Sequence, residues 1–222
     1  PYTKIAEWGM VPFTHNWKDK IVNLCKFFEV SNLKLLQNKD LIPIACRKLS
    51  ATEKSTYIML TLAQYAKIKS RQIEVAPFCK NTLEEKINDI RLLTRHKSMD
   101  FMEDLSDILK SCGIALVYLP QVKGSFLHGI TFYDRNTNKI VLGITMRGKY
   151  ADRFWFSLFH EISHVIQGHI YQKNGTSDAD ETDADTMAAE ILIPSAKLKS
   201  FYQEKDYSIR SIKHFADLLQ VG

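Results

Sequence analysis

Between Ala151 and Gln167 the chain carries the run Phe154-Trp155-Phe156-Ser157-Leu158-Phe159-His160-Glu161-Ile162-Ser163-His164-Val165-Ile166. The pattern predicts an α-helix so rich in apolar residues that it must be largely buried. Two histidines and a glutamate in the middle of such a helix are costly to bury unless they are paired or metal-bound. Whatever fold the chain adopts must therefore enclose this helix and still supply partners to His160, Glu161 and His164.

His160 and His164 are four residues apart, so their rings share one helix face, about one turn apart, and can reach one ion. Glu161, next to the first histidine, is placed to take a proton from water that the ion activates. The spacing implies two zinc ligands, His160 and His164, and a general base, Glu161, which is the chemistry of a metallopeptidase. Catalytic zinc usually takes a third protein ligand and leaves one position open. A later acidic segment, Asp178-Ala179-Asp180-Glu181-Thr182-Asp183-Ala184-Asp185, can supply it. Glu181 and Asp185 share a helix face, so one can reach zinc and the other a histidine N–H, while Asp183 points elsewhere. The same cluster also suits a solvated helix N-terminus, where acids are favoured.

His169 follows His164 by five residues rather than the six of the long HExxHxxGxxH pattern, and reads as a surface or helix-end residue. His15, His96, His128 and His214 have no partner spacing and read as structural. His128, Tyr171 and Arg147 stay open as donors to a transition-state oxyanion.

Around this helix the organisation changes near residue 110. The earlier part reads as helical, with segments expected over Asn16–Val30, Ser50–Ser70, Thr82–Leu93 and Asp100–Lys110. A linker with one short turn is expected up to Pro43, and Ser50-Ala51-Thr52-Glu53 fits a capping box. At Gly113 the period shortens. Ile114–Leu119, Phe126–Tyr133 and Lys139–Met146 read as strands, the last two joined as an antiparallel hairpin through Asp134-Arg135-Asn136-Thr137-Asn138. Further helices are expected over Asp180–Leu192 and Ser208–Leu219. No internal repeat is present.

Charge and composition exclude several classes. The net charge of +5 lies wholly in residues 1–110, with 18 basic and 13 acidic side chains against 12 of each in 111–222. That excess is modest enough to be a solvated helical surface, and no direct DNA contact is expected from it. No apolar run approaches the roughly 20 residues that span a bilayer. Pro1-Tyr2-Thr3-Lys4 does not open a secretory leader, and sequence beyond both ends is expected. Cys25, Cys46, Cys79 and Cys112 form no CxxC pair and read as free thiols in a reducing cytoplasm.

Two blocks resemble the ImmA/IrrE metallopeptidase family. One is Phe154 to His164. The other is Glu181-Thr182-Asp183-Ala184-Asp185-Thr186-Met187-Ala188-Ala189-Glu190-Ile191-Leu192-Ile193-Pro194, similar to the family's glutamate helix with Ile191 in place of a leucine. The likeness spans residues 113–220. It implies metal ligands at His160, His164 and Glu181, the catalytic base at Glu161, and Asp185 as the outer partner of a ligand histidine.

The expected fold is α+β. A minimal zincin-like domain over 111–222, built of a small antiparallel sheet, the HExxH helix and the glutamate helix, follows a mainly helical region over 1–110. The implied function is zinc-dependent, cytoplasmic endopeptidase activity on a protein substrate such as a repressor or antitoxin. The variant resembled is the one joined to Xre-type, HigA-like regulators, so an Xre-type DNA-binding domain is expected outside this chain; no helix-turn-helix is legible in residues 1–110. The second reading is a non-proteolytic antitoxin or transcriptional-regulator module that binds a partner or senses a signal through the metal domain.

Overall fold

The computed structural model describes residues 2–37, 53–96, 100–122, 125, 127–146, 151–172 and 175–222. Three strands, β1 (Ile114–Leu119), β2 (Gly129–Asp134) and β3 (Lys139–Thr145), form one sheet in the order β1-β3-β2. The expected hairpin is present: β2 and β3 pair antiparallel, with Asp134 opposite Lys139. Its turn closes through Asn138 in the left-handed region (φ 55°), and Asp134 accepts from Asn136 N–H and the Thr137 hydroxyl. β1 adds to the other side of β3 in parallel, Ile114 opposite Ile140, so the sheet is mixed rather than wholly antiparallel. β1 is almost completely buried, as a parallel strand covered on both faces must be.

Strand alternation sorts the two faces. Ile114 and Leu116 of β1 and Ile140, Leu142 and Ile144 of β3 enter a core shared with three helices, α4 (Lys80–Leu92), α5 (Phe101–Ser111) and α6 (Ala151–Ile166). Leu83, Ile90, Leu105 and Leu109 meet Leu158, Phe159 and Ile162 there, so one core runs through residue 110. Val117, Ile130, Phe132 and Val141 face the opposite way, against Leu62, Ala63 and Ala66 of α3 (Glu53–Ser70). A smaller cluster of Ile5, Ala6, Val11 and Phe27 joins α1 (Tyr2–Glu7) and α2 (Trp17–Phe28) to the outer side of α3.

Two residues past α5 stands Gly113, whose φ of +88° is left-handed and whose added Cβ would lie 2.4 Å from the Phe78 Cα. Only glycine fits this approach of two backbones. The capping box expected at Ser50-Ala51-Thr52-Glu53 falls largely outside the described residues.

α6 and α7 (Asp178–Leu192) pack side by side, followed by α8 (Ser195–Glu204) and α9 (Ile209–Leu219). A capping box starts α7: the Ser177 hydroxyl accepts from Asp180 N–H, and the Asp180 carboxylate accepts from Ser177 N–H. α1 and α8 go beyond the sequence expectation; α8 follows directly on Pro194, a residue that ends one helix and pre-sets the start of the next.

Candidate metal centre

α6 presents His160 and His164 toward α7, which presents Glu181 back. His160 Nε2 lies 3.0 Å from His164 Nε2 and 3.3 Å from Glu181 Oε2. His164 Nε2 lies 3.6 Å from the same oxygen. These three residues could hold one metal ion. Tetrahedral zinc with N and O ligands at about 2.0–2.1 Å places those ligands about 3.3 Å apart, and the three edges bracket that value. Two imidazoles and one carboxylate also suit zinc by donor type. The residues present therefore fit the ion.

The electrostatics favour a cation as well. Burial alone would lower the pKa of His160, but Glu181, Glu161 and Asp185 outweigh it and raise it to about 9. Hydrogen bonds from His160 and His164 hold the Glu181 carboxyl far below the ordinary carboxylate range, against the opposing effect of burial. The Thr176 hydroxyl donates to the second oxygen, Glu181 Oε1, at 2.5 Å.

Each of the two histidines has an outer partner. His160 Nδ1 lies 2.8 Å from Asp185 Oδ1; a carboxylate only accepts, so Nδ1–H donates and Nε2 is left for the ion. His164 Nδ1 lies 2.9 Å from His169 Nδ1. His169 thus corrects the sequence reading. It sits at a helix end, on a one-turn 3-10 helix over His169–Tyr171, but it is buried at 7 % exposure and packed on His164. Gly168, with φ 77°, turns the chain after α6, so helical spacing could not reveal the contact. Burial pushes the His169 pKa down, against the pull of Asp180.

Glu161 points from α6 to the sheet. It is buried at 8 % exposure, and its Oε2 accepts from the Thr131 hydroxyl at 2.6 Å. Burial pushes its carboxyl up, while Thr131 and the two histidines act in the opposite sense. A Cβ on Gly129 would come within 2.5 Å of Glu161 Cγ and 2.6 Å of Oε1, so the carboxylate fills the space a side chain at 129 would take. Gly129 and Thr131 alternate with Ile130 and Phe132, which pack against α3. A glycine and a hydroxyl on the inward parity of an otherwise apolar strand were the signal that could have disclosed both.

A cleft of about 600 Å3 opens along the first half of α6, lined in part by His128, Trp155, Phe156, Ser157, Leu192 and Ile193; His160, Glu161, His164 and Glu181 are not among its lining residues. Phe156 and Ser157 lie one turn before His160 and Glu161 on α6, and His128 precedes Gly129. Tyr171 packs against Tyr133 with ring centroids 5.3 Å apart, and Arg147 lies outside the described residues.

Two imidazoles and a carboxylate on facing helices, with a buried glutamate between them and a strand, define a zincin-like domain of metallopeptidase type. Residues 125–222 match the family model of the IrrE N-terminal-like domain, Peptidase_M78, and this part of the chain is an ImmA/IrrE-family domain. The match begins after β1, so α1 to α5 and β1 lie outside it. Comparison with curated proteins and with solved structures finds no match. Among the described residues no helix is long and apolar enough to cross a membrane.

Proposed function

We propose that the domain is a zinc-dependent endopeptidase in which His160, His164 and Glu181 hold the metal and Glu161 is the general base. The observation that carries this reading is the position of Glu161. It is buried beside the ligand cluster, oriented by Thr131 and given room by Gly129, an arrangement that metal binding alone does not need. Bound between the three ligands, zinc would supply a Lewis acid for a peptide carbonyl and acidify a water molecule. Glu161 accepts the proton from that water and delivers it to the leaving amine. Thr131 keeps the carboxylate aimed through this exchange. Asp185 holds His160 in the tautomer that leaves Nε2 free.

The cleft one helical turn along α6 from His160 supports a protein substrate, with its apolar wall of Trp155, Phe156, Leu192 and Ile193 suited to a large apolar side chain. The outer edge of β2 gives the substrate backbone a strand to pair with. In this reading the substrate is a repressor or antitoxin-like regulator, an Xre-type DNA-binding domain lies outside this chain, and residues 1–110 are a helical region that braces the domain over 111–222. The free thiols of Cys25, Cys79 and Cys112 support a cytoplasmic setting.

The decisive comparison is wild type against Glu161→Gln, with zinc content and cleavage of candidate repressors measured together. Zinc should be retained, and cleavage should fall by about 10²-fold or more. Undiminished proteolysis by that variant would sink the mechanism. Zinc and a tightly bound partner with no cleavage by wild type would support the non-proteolytic regulator instead.

A further inference from the structure

We propose that His169, anchored by Asp180, is a positioning residue that fixes the tautomer and ring orientation of His164. The inference rests on the metal reading above but goes beyond its ligand set. His164 Nε2 converges with His160 Nε2 and Glu181 Oε2, so a metal takes the lone pair of that nitrogen. A neutral imidazole bound through Nε2 carries its proton on Nδ1. That proton faces His169 Nδ1 at 2.9 Å, which must then accept. His169 accordingly carries its own proton on Nε2, and this nitrogen lies 3.3 Å from Asp180 Oδ1. The chain of donors is His164 to His169 to Asp180, with one consistent set of tautomers.

The anchor is itself held. Asp180 accepts from Ser177 N–H at 2.5 Å and from Gln172 Nε2 at 3.3 Å. It immediately precedes Glu181, so the first turns of α7 deliver a metal ligand and the end of the relay together. Asp185, one turn after Glu181, braces the other histidine directly. One short helix therefore orients both imidazoles of α6. The two are held differently: His160 faces an anion, whereas His164 faces a neutral ring. The side chains of His164 and His169 are only 7 % and 9 % exposed, so the relay is the partner built for His164 Nδ1.

A merely packed His169 would be replaced well by phenylalanine, whereas a positioning residue needs an acceptor at the Nδ1 position. The test compares wild type, His169→Phe and His169→Asn, whose amide oxygen can stand near the place of Nδ1. Zinc affinity is read by competition with a chromogenic chelator, and the His164 ring by 1H–15N correlation in the zinc-loaded protein. Loss of the outer partner should weaken zinc about 10- to 100-fold in the Phe variant. The Asn variant should recover most of that affinity and retain a slowly exchanging Nδ1–H resonance for His164.

Wild-type affinity in the Phe variant, or equal loss in both variants, overturns the proposal while leaving the metal reading intact. A wild type that binds no zinc overturns both. If the Phe variant does not fold, the wild-type spectrum decides, since a zinc-loaded His164 without a hydrogen-bonded Nδ1–H overturns the relay.

Discussion

Gly129 and Thr131 carry a requirement that falls on single atoms. The Glu161 carboxylate occupies the volume that a side chain at 129 would take, and its one hydroxyl donor stands two residues further along β2. In Gly129→Ala the new methyl meets Glu161 at Cγ as well as at the carboxylate, so the side chain must swing away as a whole. His160, His164 and Glu181 on α6 and α7 are not displaced by that movement. The expected outcome is zinc affinity within about twofold of wild type with kcat/KM reduced about 10²-fold, the scale of a displaced catalytic group. Titration of zinc alongside turnover checks it, and unchanged turnover would mean that Glu161 tolerates displacement or is not the base. His160, Glu161 and His164 were legible in the sequence because helical spacing is local and fixed. Gly129, Thr131 and His169 were not, because each acts across a contact set by strand register or by the turn at Gly168.

Elements followed the same division. α6 and the hairpin were legible from period and turn chemistry, and β1 matched its apolar run closely. The parallel placement of β1 was not, since a short buried run does not say which way its neighbour points. α8 escaped because its apolar positions are few and it starts on a proline.

The α2–α3 junction makes a further prediction at this scale. Glu29, just past the end of α2, accepts at 2.9 Å from Lys67 on α3 and at 2.5 Å from Arg71, just past the end of α3. Burial alone would raise the Glu29 carboxyl, but these two cations outweigh it and hold its pKa below the ordinary 4.5. A depressed carboxylate stabilises the folded form above its unfolded pKa and loses that contribution as pH falls through the folded one. Docking of α2 on α3 should therefore weaken below about pH 4.5, modestly because the pair is partly exposed. Hydrogen exchange should show α2 amides losing protection before those of α6 on acidification. Glu29→Gln should abolish that pH dependence; a variant that titrates like wild type would place its cause elsewhere.

For the whole molecule, the candidate metal centre ties together parts that the sequence separates. The three residues that could hold a metal come from α6 and α7, Glu161 rests against β2, and α6 is packed through Leu158, Phe159 and Ile162 into the core it shares with α4 and α5. The unfolded chain holds no such convergence, so zinc held there would favour the folded form and stabilise it by mass action. At free zinc about 100-fold above Kd the gain is about 2.7 kcal/mol. For a chain of this size each kcal/mol moves Tm by about 2–4 °C, so zinc should raise Tm by about 5–10 °C over chelated protein. Because the core is continuous, the shift should appear in one transition that includes α4 and α5, read by helical signal and tryptophan fluorescence alike. Glu181→Ala removes a ligand while leaving the core intact and should abolish the shift. An equal shift in that variant would place the stabilising ion somewhere other than between His160, His164 and Glu181.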